Sequence, residues 1–144
     1  MVPSRANETI GFIDIGTNSI HLSVVRHYGE VPGSTIFQDK EMLRLGRGLY
    51  AEGRIGKDNI RKAAIIVSKF VKAARNMGAQ EVVAMATCAA REAPDGQDLI
   101  RALAPYADVR IIPGTEEARL IALGVFGPEG IRIIPEGYPA LLLI

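Results

Sequence analysis

Phe12-Ile13-Asp14-Ile15-Gly16-Thr17-Asn18-Ser19-Ile20-His21-Leu22-Ser23-Val24-Val25 holds two β-branched apolar runs apart with four turn residues. The runs, Ile10 to Ile15 and Ile20 to Val25, read as strands, and the insert reads as a tight hairpin connection. Gly16 has no Cβ, so the backbone there can take positive φ and approach a ligand closely. Thr17, Asn18 and Ser19 then bring backbone N–H groups and short polar side chains to one bend. Such a bend can form a small concavity for an anion such as phosphate. Asp14 ends a strand expected to be buried, an expensive place for a carboxylate without a partner. A metal ion or its water shell would satisfy it, and Mg²⁺ takes one or two carboxylates plus phosphate oxygens. Asp, Gly, Thr, Asn and Ser are also ordinary turn residues, and Asp14 could simply bond to the turn amides.

The rest of the chain decides what surrounds that bend. Its 144 residues, 48% of them hydrophobic, allow one domain of ordinary size with a real core. Seventeen basic against sixteen acidic residues leave a formal charge of +1, which argues against a nucleic-acid surface. The single cysteine rules out an intramolecular disulfide and suits a reducing compartment. The start, Met1-Val2-Pro3-Ser4-Arg5, lacks the apolar run of a signal peptide, and no stretch is long enough to span a membrane. The chain therefore reads as soluble and cytoplasmic.

Gly33 to Leu45 reads as a third strand, with Thr35, Phe37 and Leu43 alternating. Arg44 to Gly56, with four glycines and three arginines, reads as an exposed, mobile loop. It is either a solvated surface loop or a basic lip for a polyanion. Lys57 to Met77 is the clearest helix: Ile60, Ala63, Ala64, Val67, Phe70, Val71 and Ala74 form one apolar stripe, and Gly78 can supply a left-handed stop. Glu81 to Thr87 reads as a short buried strand. Asp95 to Leu103 reads as a short helix capped by Asp95, Val109 to Ile112 as a strand, and Gly114 to about Phe126 as a helix broken by Gly127-Pro128. That last helix is apolar nearly all round, so burial between two layers or two domains is expected. Three meander strands followed by alternating helices and strands make an α/β layered fold with a mixed sheet. Pro139-Ala140-Leu141-Leu142-Leu143-Ile144 ends the chain as an apolar strand-like run, which suggests a fragment of something longer. Left exposed, Leu141–Ile144 could pair copies into a homodimer.

Two further segments carry candidate chemistry. Glu116 and Glu117 stand in the first turn of the helix from Gly114, where the macrodipole favours carboxylates by roughly 0.3–1 kcal/mol without any other duty. Arg91 follows Thr87-Cys88-Ala89-Ala90, as a phosphate clamp or as half of a surface ion pair with Glu92 or Asp95. Cys88 precedes Arg91 by only three residues, too few for the loop of a cysteine phosphatase, and reads as a small inert thiol. His21 reads as a packing residue with a hydrogen bond.

Asp14-Ile15-Gly16-Thr17-Asn18-Ser19-Ile20-His21-Leu22 resembles the first phosphate loop of the exopolyphosphatase/guanosine pentaphosphate phosphohydrolase (Ppx/GppA) family, within the actin-like ATPase superfamily. Leu43-Arg44-Leu45-Gly46-Arg47-Gly48-Leu49 and Thr87-Cys88-Ala89-Ala90-Arg91 also look like that family. Pro113-Gly114-Thr115-Glu116-Glu117-Ala118-Arg119 resembles its Ser-Gly-x-Glu-Glu-Ala-Arg signature, with Pro113 in place of Ser. The resemblance implies an actin-like (ribonuclease-H-like) domain over 1–126. Residues 127–144 would be the linker and first strand of a truncated second domain. It implies Mg²⁺-dependent hydrolysis of the terminal phosphate of inorganic polyphosphate, or of pppGpp. Asp14 would help hold Mg²⁺, Gly16, Thr17, Asn18, Ser19 and Arg91 would bind phosphate, and Glu117 would activate water. Half a cleft should do little of this alone, so the fragment is expected to be inactive. The competing reading is an actin-like module that binds phosphate or nucleotide without hydrolysing it.

Overall fold

The computed structural model describes residues 7–28 and 31–131. Its five strands are β1 (Thr9–Ile15), β2 (Ser19–Tyr28), β3 (Val31–Met42), β4 (Glu81–Ala86) and β5 (Asp108–Ile111). They form one sheet in the order β3-β2-β1-β4-β5, which puts β1 in the middle. β1, β2 and β3 pair antiparallel, as a meander joined by short turns should. β4 then lies parallel to β1, and β5 parallel to β4. The expected mixed sheet, with three N-terminal meander strands and flanking helices, is what the chain forms.

The chain falls into two compact units, Met1–Ile111 and Ile112–Ile144. In the first, α2 (Lys57–Asn76) crosses one face of the sheet. Its apolar stripe buries Ala63, Val67, Phe70 and Ala74 completely, against Ile13, Ile15, Ile20, Leu22, Val24, Ala84 and Ala86 in one core. Burial of a side chain the size of Phe70 is worth roughly 1.5–3 kcal/mol. The helix sits close to β1 because Gly11 has no side chain: a Cβ there would come within 2.8 Å of the Ala74 Cβ. Its end follows from Gly78, at φ +88°. The Gly78 N–H donates to the Arg75 carbonyl and the Ala79 N–H to that of Ala74, satisfying carbonyls that the helix leaves open.

The segment after β3 departs from expectation. The third strand stops at Met42, and residues read as a mobile loop contain α1 (Leu45–Glu52), with Leu45 fully buried. The glycines that suggested flexibility are there for close packing. A Cβ on Gly46 would lie 2.2 Å from the Thr17 Cγ2, and one on Gly48 would lie 2.8 Å from the Ile55 carbonyl oxygen. Gly53 and Gly56 have positive φ, and they end α1 and open α2.

After β4 come α3 (Cys88–Glu92) and α4 (Gly96–Leu103). Asp95 precedes α4, yet its side chain makes no cap there. Its two carboxylate oxygens instead accept from the Ile55 N–H and the Gly56 N–H, both at 2.9 Å, tying α4 to the start of α2. Two adjacent amides nearby outcompete the local cap.

The second unit contains α5 (Gly114–Ile131), which continues through Gly127 and Pro128. Proline's fixed φ is compatible with a helix, so it removes one backbone bond of the ladder without ending it. Within this chain Ile121 and Leu123 of α5 are exposed and Ala122 is buried. The apolar run Leu141–Ile144, and the pairing of copies expected from it, lie outside the described residues. No described helix is long and apolar enough to cross a membrane.

The Asp95 bridge gives a test with a definite sign. Burial raises the carboxyl's pKa, but the hydrogen bonds from Gly56 and Ile55 outweigh it and hold the group below its ordinary range. A folded pKa that is lowered contributes stability fully present above the unfolded value, about 3.9, and lost as the pH falls through the folded value. Asp95→Ala is therefore expected to cost about 1–3 kcal/mol at neutral pH. That deficit should shrink on acidification below about pH 4. Urea midpoints of the two proteins across this range measure it, and a deficit independent of pH would refute the bridge.

Candidate functional site

Parallel pairing brings three strand ends to one edge. Ile15 of β1 aligns with Ala86 of β4, and Ala86 with Ile111 of β5, so these strands run out together. In open α/β sheets, ligands bind outside the carboxyl ends of parallel strands. The turn Gly16–Ser19 leaves from β1 at that edge, and Thr87 with α3 leaves from β4. They are stitched together: the Thr87 N–H donates to the Ile15 carbonyl at 3.2 Å, and the Arg91 N–H donates to the Thr87 carbonyl at 3.1 Å.

The turn is fixed by its backbone. The Gly16 N–H donates to the Ser19 carbonyl at 3.0 Å. The Thr17 carbonyl accepts from the Gly46 N–H at 2.9 Å, and the Asn18 carbonyl from the Leu43 N–H at 3.1 Å. No described peptide bond is cis. In a planar trans peptide the N–H points opposite to the preceding C=O. The Asn18 and Ser19 N–H groups therefore point away from residues 43–46, as two donors on one side of the bend. Gly16 is not at positive φ, contrary to expectation. Its missing Cβ serves the turn itself, since a Cβ would crowd the Ser19 carbonyl oxygen at 3.2 Å. The Ser19 hydroxyl is hydrogen-bonded to the His21 Nε2 at 2.7 Å, which gives His21 its expected packing role.

Asp14 requires a correction. The strand is buried, but alternation turns Ile13 and Ile15 into the core and leaves Asp14 exposed. An exposed carboxylate at a strand end suits a hydrated cation better than a dry cage. The described residues contain no group of three His, Cys, Asp or Glu that would hold a metal alone. Magnesium does not need one, since it keeps several waters and shares one or two carboxylates with substrate phosphates. Asp14 beside the turn fits that pattern.

Arg91 is exposed at the end of α3 on the same edge. Beside it, burial pushes the Cys88 thiol up from its ordinary value. A hydrogen bond from its Sγ to Glu92 Oε1 at 3.2 Å adds to the rise, and Thr17 and Arg91 offset only part of it. In the second unit, Glu116 and Glu117 occupy the first turn of α5. Glu116 forms a two-pronged pair with Arg119, at 2.7 and 2.8 Å, and that hydrogen bonding holds its carboxyl below the usual range. Glu117 is only partly buried, and its N–H donates to the Pro113 carbonyl at 3.0 Å. So Asp14, the 16–19 turn and Arg91 come together on one edge, and Glu117 belongs to the other unit. The role of Gly46 in seating the turn has no signal in local periodicity, because a long-range glycine contact leaves no local pattern; only the family resemblance of the 43–49 segment points to it.

Residues 23–130 match the model of the Ppx/GppA phosphatase family. Exopolyphosphatase 1 of Mycobacterium leprae is 32% identical over 130 residues, which is 87% of this chain and 38% of that protein. The guanosine-5'-triphosphate,3'-diphosphate pyrophosphatase of Photobacterium profundum is 31% identical over 122 residues, 82% of this chain and 24% of that protein. The crystal structure of an exopolyphosphatase from Cytophaga hutchinsonii superposes with a TM-score of 0.74 at 30% identity, covering 82% of this chain and 38% of that one. The chain thus spans between about a quarter and two fifths of the length of these relatives.

Two outcomes follow from the geometry. Gly46→Ala cannot keep both the Gly46–Thr17 hydrogen bond and the packing of α1, and is expected to lower stability by about 1–3 kcal/mol. Thermal unfolding reads this, and an unchanged midpoint would show that α1 does not seat the turn. Cys88, with its raised pKa, should alkylate more slowly with iodoacetamide at neutral pH than a free cysteine, whose pKa is about 8.5. Fast alkylation would contradict that environment.

Proposed function

The chain belongs to the Ppx/GppA phosphatase family, and we propose that it forms one wall of a cleft that removes the terminal phosphate of inorganic polyphosphate. The observation that carries this reading is the turn at the end of β1, with its Asn18 and Thr17 carbonyls bound by Leu43 and Gly46, which by trans-peptide planarity turns the Ser19 and Asn18 amides the other way. Those amides would receive phosphate oxygens, as backbone concavities do for anions. Arg91 would add a charged donor from the neighbouring strand end. Asp14 would hold a hydrated Mg²⁺, and the ion would supply neutralisation of the phosphate charge.

Glu117 would accept the proton of the attacking water as its oxygen bonds to the terminal phosphorus and the bond from that phosphorus to the bridging oxygen breaks, the oxygen leaving on the shortened chain. Glu116, beside Glu117 in the same turn, is held by Arg119 in a two-pronged pair. Phosphoryl transfer needs mostly positioning and charge stabilisation, so a fixed turn, a clamp and one base are what this wall would contribute, and the chain alone would hydrolyse little. A relative named as acting on guanosine 5'-triphosphate,3'-diphosphate supports a second substrate for the same cleft, pppGpp, whose terminal phosphate has the same chemistry.

Glu117→Gln in the full-length protein is expected to lower phosphate release from polyphosphate by about 10²–10⁴-fold, the usual worth of a general base. Polyphosphate binding should survive. Turnover persisting at a comparable rate would remove Glu117 from the reaction. Binding with no turnover in either protein would favour a module that holds phosphate without hydrolysing it.

A further inference from the structure

Beyond the tip of the turn, two open clefts of about 490 and 610 Å³ adjoin along α1. They share Met42, Arg44 and Arg47; Asn18 and Tyr50 line the nearer one, and Lys62 the farther. Arg44 immediately precedes α1 and Arg47 lies one turn on, which places the two guanidinium-bearing residues on neighbouring positions of one helix face. Both are exposed. Among the described residues neither makes an ion pair, whereas Arg61, Lys69, Arg101, Arg110 and Arg119 each hold an acid. One acid, Glu52, lines the farther cleft. Like charges one turn apart oppose folding slightly, so an unrelieved pair beside a cleft is a feature that an anion would stabilise.

We propose that this cleft is a subsite for the internal phosphates of a phosphate chain whose terminal phosphate lies at the 16–19 turn. The inference rests on the reading of that turn as the phosphate site. Asn18 belongs to both, at the bend and on the cleft wall, so a chain leaving the turn amides, which face away from residues 43–46, would have to round the bend at Asn18 to reach Arg44 and Arg47. Single phosphates would not reach the arginines, and long chains would. The subsite thus sets a preference for length. Each arginine would release counterions when a polyanion binds, which makes the preference dependent on salt.

The test compares binding by the full-length protein and its Arg44→Ala/Arg47→Ala variant, in magnesium-free buffer at several salt concentrations. The probes are tripolyphosphate, long-chain polyphosphate and pppGpp, and Arg61→Ala serves as a control for removal of an exposed charge outside the cleft. The ratio of long-chain to tripolyphosphate affinity is expected to fall about tenfold in the double variant. The slope of log K against log salt for the long chain should drop by about two units, one for each arginine removed. Arg61→Ala should change neither. A weakening on long polyphosphate assigns the subsite to the inorganic chain, and a weakening on pppGpp assigns it to the phosphates of the nucleotide. An unchanged ratio and slope on both would overturn the subsite while leaving the turn intact. If the unaltered protein binds none of the three probes, the functional reading fails, and the subsite with it.

Discussion

The structure depends on the parallel pairing of β1 with β4. An antiparallel meander alone would send successive strand ends to opposite edges, and nothing could be assembled at one of them. Adding β4 parallel to β1 puts Ile15 beside Ala86, so the turn after one strand and the helix after the other leave together. The Thr87 N–H to the Ile15 carbonyl continues the ladder one step past the strands, which keeps the two exits in register. The pairing is stabilised by α2, which spans β1, β2 and β4 on one face and can settle there because Gly11 has no side chain. A parallel pair needs such a covered face, since its connection is long and must pack back on the sheet.

Most of this architecture is legible in the sequence because it is written in local periodicity. The alternation from Ile10 to Val25, the stripe of α2 and the stop at Gly78 are each decided within a few residues. What escapes a sequence reading is decided by distant contacts. Gly46 and Gly48 read as loop residues because in isolation they loosen a chain; in the fold they clear space for Thr17 and for the Ile55 carbonyl, and the segment is helical. Asp95 has the form of a cap, yet its carboxylate is drawn to amides about 40 residues away in sequence. Neither fact has a signature at its own position.

The candidate site shows the same division. Its turn and Asp14 lie in one stretch, so their adjacency can be read directly. Alternation also exposes Asp14 once Ile13 and Ile15 are placed in the core. An expectation of burial for Asp14 holds only if the strand is covered on both faces, and α2 packs on one. Arg91 comes to the edge through strand register, which sequence alone does not give. Its likeness to a known segment is what points to it.

The turn also shows how a segment some 25 residues further along the chain shapes the candidate site. A bend can offer N–H groups to an anion only if its carbonyl oxygens are directed elsewhere, because their lone pairs would repel the same charge. Leu43 and Gly46 supply the donors that hold the Thr17 and Asn18 carbonyls back. Those amides are available because β3 has ended and α1 is just starting, where the first N–H groups of a helix have no partner within it. Gly46 must then be small enough for Thr17 to sit against it. Gly46, an orphan donor of the helix start, and Leu43, just past the end of β3, turn the two carbonyls, and the amides of the same peptides then face the opposite side. The turn is therefore held by two segments, and the second fixes its shape as much as the first.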